Sequence, residues 1–226
     1  MSQPVIVITG AHGALGSAVA KAAIEAGWRA AAVDHADKGA LPGAALTLCG
    51  VDLTDADQAG KAMKTVADRL GRIDALLNIA GGFVWQTTED GDPTAWGRMH
   101  ALNVTTALNA SRAALPMLKQ APDGRIVNVG AAGAQKAAAG MGAYAASKAG
   151  VHRLTESLAE ELKDGAVTVN AVLPSIIDTP ANRADMGEEN ADKWVKPADL
   201  AAVMLFLASP AARAVTGALI PVTGRV

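Results

Sequence analysis

Short runs rich in β-branched residues alternate with longer segments of helical period along this chain, and that alternation limits what it can fold into. The strand-like runs fall at 5–9, 30–34, 45–51, 73–79, 125–129, 167–173 and 219–222. Between them, segments 14–26, 55–70, 94–119, 142–163 and 197–208 carry apolar residues at helical spacing. Strands separated by helices of this length make βαβ units with right-handed crossovers, and so a parallel sheet. Several strand segments are apolar almost throughout, which requires helices on both sheet faces. The expected fold is α/β, a doubly wound parallel sheet of about seven strands in a single domain covering 1–226. The stretch 175–196 has no clear period and reads as a substrate loop or lid with one short helix.

Local signals agree with these boundaries. Thr54–Asp55 offers a helix N-cap, and Asp92–Pro93–Thr94 precedes another helix start. Pro197 fits the first turn of the last helix, where its missing N–H does no harm. Half of the residues are hydrophobic but only 3% are aromatic, so the core must be built of Ala, Val, Leu and Ile. With 20 basic and 22 acidic residues and no basic run, the chain is not expected to bind nucleic acid or an acidic membrane. One cysteine, Cys49, excludes an internal disulfide and fits a reducing compartment, and no Cys/His cluster points to a metal. No signal peptide or spanning segment is evident, so a cytoplasmic protein is expected.

The segment VIVITGAHGALG places Gly10, Gly13 and Gly16 between the first strand and the first helix. Gly10 permits the tight turn, Gly13 lets the backbone approach a pyrophosphate, and Gly16 allows close helix–strand packing. The helix N-terminus offers unpaired N–H groups and a partial positive charge to the phosphates. A Rossmann-type nucleotide turn is expected here rather than a glycine turn that only joins strand to helix, with Gly10, His12, Gly13, Ala14, Leu15 and Gly16 as its candidate cofactor contacts. Neither His12 nor His35 is expected to be catalytic. Asp34 lies 18 residues after Gly16, at the end of the second strand, where its carboxylate can accept from both ribose hydroxyls. It would repel a 2′-phosphate, so NAD(H) is expected in preference to NADP(H).

Tyr144 and Lys148 stand at i and i+4 of a helical segment and share one face. A nearby ammonium and a cationic nicotinamide both favour a phenolate, which would make the tyrosine a better proton exchanger near neutrality. Phe83 and Trp85 follow the Gly81–Gly82 turn after the fourth strand and suggest a pocket for a flat ring, with Met141, Met186 and Trp194 as further walls.

With these residues in view, the chain resembles the short-chain dehydrogenase/reductase family over nearly its whole length. The matching landmarks are TGAHGALG, VDL at 51–53, NIAGG at 78–82, LNV at 102–104, YAASK at 144–148 and LPSIIDTP at 173–180. The resemblance implies that Asp52 and Leu53 lie at the adenine, that Asn78, Ala80 and Gly81 line the cofactor, and that Pro174, Ile177 and Thr179 flank the nicotinamide. It implies Tyr144 as proton donor, Lys148 as its partner, and Asn103 as support for a water relay to Lys148. It also implies a homodimer or homotetramer, to which the Ala-rich helical segments 94–119 and 142–163 would contribute.

Two features depart from the family pattern. The glycines read TGxxGxxG rather than the commoner TGxxxGxG. The catalytic serine normally sits 13 residues before the tyrosine, and here that position is Ala131, flanked by Gly130 and Ala132. Loss of such a hydrogen-bond donor typically costs about 10²–10³ in rate. A reaction at an electron-poor C=N centre builds no alkoxide and needs the donor less. Within the family, GAHGALGS at 10–17, GMGAY at 140–144, LPSIIDTPANRADM at 173–186 and GALIPVT at 217–223 look most like dihydropteridine reductases. The first expectation is therefore an NADH-dependent reductase of a quinonoid dihydropterin or similar C=N ring, with Ala131, Phe83, Trp85 and Met141 at the substrate. The alternatives are a general alcohol or ketone dehydrogenase and a non-catalytic NAD-binding sensor.

Overall fold

A computed structural model describes residues 3–226. The chain runs β1 (Val5–Thr9), α1 (Ala14–Glu25), β2 (Arg29–Val33), β3 (Leu46–Leu48), α2 (Ala56–Leu70), β4 (Ala75–Asn78), α3 (Thr94–His100), α4 (Thr106–Leu118), β5 (Arg125–Val129), α5 (Gly142–Glu161), β6 (Thr168–Pro174), α6 (Pro180–Met186), α7 (Pro197–Ala208) and β7 (Leu219–Val222). The seven strands form one sheet in the order β3-β2-β1-β4-β5-β6-β7, and every neighbouring pair is parallel. The order reverses between β1 and β4, which opens a crevice at the carboxyl ends of the strands.

Each sheet face has its own apolar layer. Ile6, Ile8, Leu77, Val127 and Val172 pack under α1 and α7, against Val19, Leu200, Met204 and Leu207. On the other face, Val5, Val7, Leu76, Ile126 and Val169 meet Met63, Val66 and Leu118 of α2 and α4 and Leu158 of α5. Burying each such aliphatic side chain contributes about 1.5–3 kcal/mol, so the sheet that carries the site is rigidly held. Alanines at the helix–sheet contacts, including Ala20, Ala23, Ala110 and Ala114, let the helices come close despite the scarcity of aromatic residues.

Asp55 caps α2, its carboxylate accepting from the N–H groups of Asp57 and Gln58, and Pro197 opens α7. Several expected elements differ in their bounds, β3 for one covering only Leu46–Leu48 of the expected 45–51. The segment 94–119 is not one α-helix but α3 and α4 joined by a π-helical turn at Ala101–Thr105. β4 stops at Asn78, short of the expected 79, because the Thr9 hydroxyl takes the N–H groups of Ile79 and Ala80 and bends the chain out of the sheet. Within 175–196 lie α6 and a 3₁₀ turn at Ala191–Lys193, tied down by a bidentate ion pair between Arg183 and Asp178 at 2.6 and 2.9 Å. Among the described residues, no helix is long and apolar enough to cross a membrane.

Candidate active site

A cleft of about 1570 Å³ opens where the sheet order reverses. At one end lies the turn between β1 and α1. Gly10 adopts φ +64°, and a Cβ there would stand 2.8 Å from Ala80 Cα, while one at Gly16 would collide with the Gly10 carbonyl. These two positions therefore accept only glycine, and the turn is compact enough for the backbone itself to face the cleft. α1 begins at Gly13 with no side chain capping it and no acidic residue in its first turn. Its leading N–H groups and the positive end of its dipole face the cleft, as the phosphates of a dinucleotide require. The residues present fit that group.

Asp34 has left β2 and sits at the cleft wall, one carboxylate oxygen accepting from His12 N and the other from Ala36 N, both at 2.8 Å. His12 also lines the cleft, and its Nε2 lies 3.8 Å from Cys49 Sγ. Asp52 and Leu53 line the same end. Hydrogen bonds from the Thr54 hydroxyl and N–H hold the Asp52 carboxyl below the usual carboxylate range. Ala14, Leu15, Ala80, Gly81, Pro174, Ile177 and Thr179 complete the wall. The Thr179 hydroxyl also caps α6 by accepting from Asn182 N, and Asn182 Nδ2 donates to the Ile177 carbonyl at 2.7 Å. Asn78 corrects the sequence reading. It does not line the cleft, because its side chain turns into the protein and donates to Ser111 Oγ and Asn128 Oδ1, bracing β4 against α4 and β5.

Tyr144 and Lys148 project from α5 into the same cleft. Burial pushes the Tyr144 phenol up to about 12 and the Lys148 ammonium down to about 8. The sequence-based expectation of a phenolate favoured by Lys148 is not met in the free chain, where desolvation dominates and keeps the proton on the phenol. Lys148 Nζ instead donates to the Val129 carbonyl at 2.8 Å. Phe83 meets the tyrosine ring edge-on.

Asn103 stands in the π turn and is buried outside the cleft. Its Oδ1 accepts from Gly82 N, and its Nδ2 donates to the Gly82 carbonyl and to Ser147 Oγ. The extra residue of the π turn thus places one amide as a brace between the turn after β4 and α5. The Ser147 hydroxyl donates to the Tyr144 carbonyl and is spent inside the helix.

Ala131 lines the cleft with a methyl group and offers no side-chain donor. Its N–H donates to His152 Nε2 at 3.3 Å. Beyond it, Phe83 and Trp85 are exposed by 56% and 60%, and Met141 and Met186 stand with them in the cleft. Trp85 Nε1 donates to the Ala139 carbonyl and Gln86 N to that of Gly140, so the segments either side of the mouth are joined. Trp194 is buried and does not line the cleft, which removes it from the expected walls. Sequence reasoning missed His152, Asn182 and Asp185. The one available signal was the spacing of His152, at i+4 from Lys148 on the same helix.

A family model described as short chain dehydrogenase matches residues 4–190. The chain belongs to that family. Among curated short-chain dehydrogenase relatives, 2-(S)-hydroxypropyl-CoM dehydrogenase 3 of Xanthobacter autotrophicus is 30% identical, covering 99% of this chain and 96% of its own. Meso-2,3-butanediol dehydrogenase of Serratia marcescens is 33% identical over 97% of this chain and 93% of its own. The 3-oxoacyl-[acyl-carrier-protein] reductase FabG of Vibrio harveyi is 30% identical over 97% and 96%. These are named for alcohols and oxo groups rather than for a pterin.

Two solved structures share the fold closely. The ligand-free aldohexose dehydrogenase of Thermoplasma acidophilum superposes with a TM-score of 0.90 at 27% identity, covering 99% of this chain and 93% of its own. A short chain oxidoreductase of Pseudomonas aeruginosa, bound to NADPH and described as containing an atypical catalytic center, gives 0.89 at 28% identity over 98% and 95%. The short-chain dehydrogenase fold thus accounts for the whole sheet, and the chain is an oxidoreductase of nicotinamide type.

Proposed function

We propose that this chain interconverts alcohols and ketones by hydride exchange with NAD(H), with Tyr144 as the proton donor and acceptor. The observation that carries the reading is the Tyr144–Lys148 pair on one face of α5, lining the same cleft as the Gly10–Gly16 turn. A bound nicotinamide supplies or accepts the hydride. Gly13, Ala14 and Leu15 receive the pyrophosphate at the start of α1, and Asp34 receives the ribose hydroxyls and disfavours a 2′-phosphate. The Tyr144 phenol gives its proton to the substrate atom that gains charge. The Lys148 ammonium lies one helical turn along and stabilises the phenolate left behind.

A second reading is favoured by Ala131. With no hydroxyl there, a developing alkoxide lacks a donor worth about 2.7–4 kcal/mol. A quinonoid dihydropterin or similar C=N ring needs that donor less, and Phe83 and Trp85 suit a flat ring. Charge narrows either reading. The cationic or imidazole side chains at the cleft are His12, His35, Lys38 and Lys148, whereas Asp185 lines it beside Met186. Neutral flat substrates are therefore favoured over carboxylates and phosphates. Exposed Trp96 on α3 and Leu108 on α4 support a homodimer or homotetramer.

The experiment is steady-state NADH oxidation with neutral aryl ketones, their carboxylated analogues and quinonoid dihydropterin, run on the wild-type chain and Tyr144→Phe. Turnover of neutral ketones that falls about 10²–10⁴-fold in Tyr144→Phe supports the first reading. Pterin turnover without ketone turnover selects the second. Tight NADH binding with neither rejects both and leaves a cofactor sensor.

A further inference from the structure

The carboxyl end of β5 is gripped from α5 at two points. β4 pairs with β5 only as far as Asn78↔Asn128, while β5 runs on against β6, with Gly130 N donating to the Val172 carbonyl. Ala131 is still extended, so the Val129 carbonyl and Ala131 N–H lie on the other side, where β4 has ended. Two side chains one turn apart on α5 take them up. Lys148 Nζ donates to Val129 O at 2.8 Å, and His152 Nε2 accepts from Ala131 N at 3.3 Å. His152 is 3% exposed, and a Cβ on Gly130 would lie 2.6 Å from its Nε2, so the glycine is what lets the ring approach.

We propose that His152, as a neutral imidazole carrying its proton on Nδ1, is a positioning residue that fixes Ala131 and the face of α5 bearing Tyr144. It does not touch the cleft. Because a backbone N–H donates to Nε2, that nitrogen must be unprotonated. Protonation would set two donors face to face and add a positive charge near the Lys148 ammonium. The charged groups acting on the ring are Lys148, Arg153 and Glu156, all on α5, and burial and both cations oppose its protonation. From the end of β5, Gly130 and Ala131 lie against the ring. Acidification therefore loosens the end of β5 while leaving Tyr144 chemically intact.

The turnover arm rests on the proposed function, so the test also includes a readout independent of it. Long-range ¹H–¹⁵N NMR of the imidazole in the wild-type chain should show the Nδ1–H tautomer, persisting to a pH below the ordinary histidine range, and slow exchange of the Ala131 amide. An Nε2–H tautomer, or a ring that titrates like a free histidine, overturns the proposal whether or not any substrate is turned over. His152→Ala should lower kcat at least tenfold with NADH KM within twofold. His152→Gln, whose Oε1 can accept from Ala131 N, should recover most of that loss and abolish the acid limb of the kcat profile. A folded His152→Gln as slow as His152→Ala, or an unaltered acid limb, refutes the assignment. Should both variants fail to fold, the wild-type tautomer and amide exchange decide.

Discussion

The Phe83 ring stands edge-on to the Tyr144 ring, with centroids 4.9 Å apart and planes at 74°. Phe83 is 56% exposed and belongs to the turn after β4, so it contributes little to the core. Its effect is local: it packs edge-on against the phenol ring, and both residues line the cleft. An edge-to-face pair contributes about 0.5–1.5 kcal/mol. Phe83→Ala should therefore lower kcat/KM about 3–10-fold while the unfolding midpoint stays within error, as steady-state kinetics and urea denaturation will show.

Under the proposed function, position 131 sets the balance between ketone and C=N substrates. Ala131 has extended backbone that a serine can adopt, and it lines the cleft. Ala131→Ser should raise ketone turnover about tenfold or more by restoring a donor to the developing oxyanion. Turnover of a C=N ring should change by less than about twofold, because no alkoxide forms there. Side-by-side kcat values for the two substrate types provide the check. An equal gain on both would remove the oxyanion argument.

Lys148 makes stability depend on alkaline pH. Its folded value of about 8 lies below the ordinary 10.5 because burial penalises the ammonium. The unfolded chain binds more protons across that interval, so stability rises with pH from about 8 to 10.5, and below about 8 the buried charge carries its full cost. A shift of this size corresponds to about 3 kcal/mol, against about 1 kcal/mol for the lost bond to Val129. Cofactor-free Lys148→Met should thus be more stable than wild type at pH 7 by about 2 kcal/mol, the difference vanishing at about pH 9.5 and reversing above it. Denaturation curves at stepped pH will test this. Its turnover should fall all the same, because the ammonium beside the phenol is gone.

Asp34 joins the proposed cofactor choice to the shape of the turn. Its carboxylate holds the N–H groups of His12 and Ala36 while facing the cleft. Asp34→Ala should weaken NADH binding and reduce the NADH over NADPH preference at least tenfold, because the 2′-phosphate is no longer repelled. Fluorescence titration with both dinucleotides measures the ratio. An unchanged ratio would take Asp34 out of the ribose site.

The period of the apolar residues was enough to specify seven parallel strands and helices on both faces, since strand and helix spacing are local properties of a sequence. The glycine turn and the Tyr144–Lys148 spacing were legible for the same reason, each depending on residues within two turns of one another. Asn78 and Asn103 were not. Both are amides whose partners lie 33 or more and 21 or more residues away, and only packing reveals that one braces strands and the other braces a turn against a helix.

By itself, the sequence determined the doubly wound sheet, the glycine turn and the absence of a hydroxyl at position 131. Tertiary structure alone decided the state of the site: the phenol raised and the ammonium lowered by burial, and His152 closed on Ala131 where β4 ends. Desolvation and the pairing of leftover backbone groups depend on which distant segments exclude water from one another, and no local spacing encodes that.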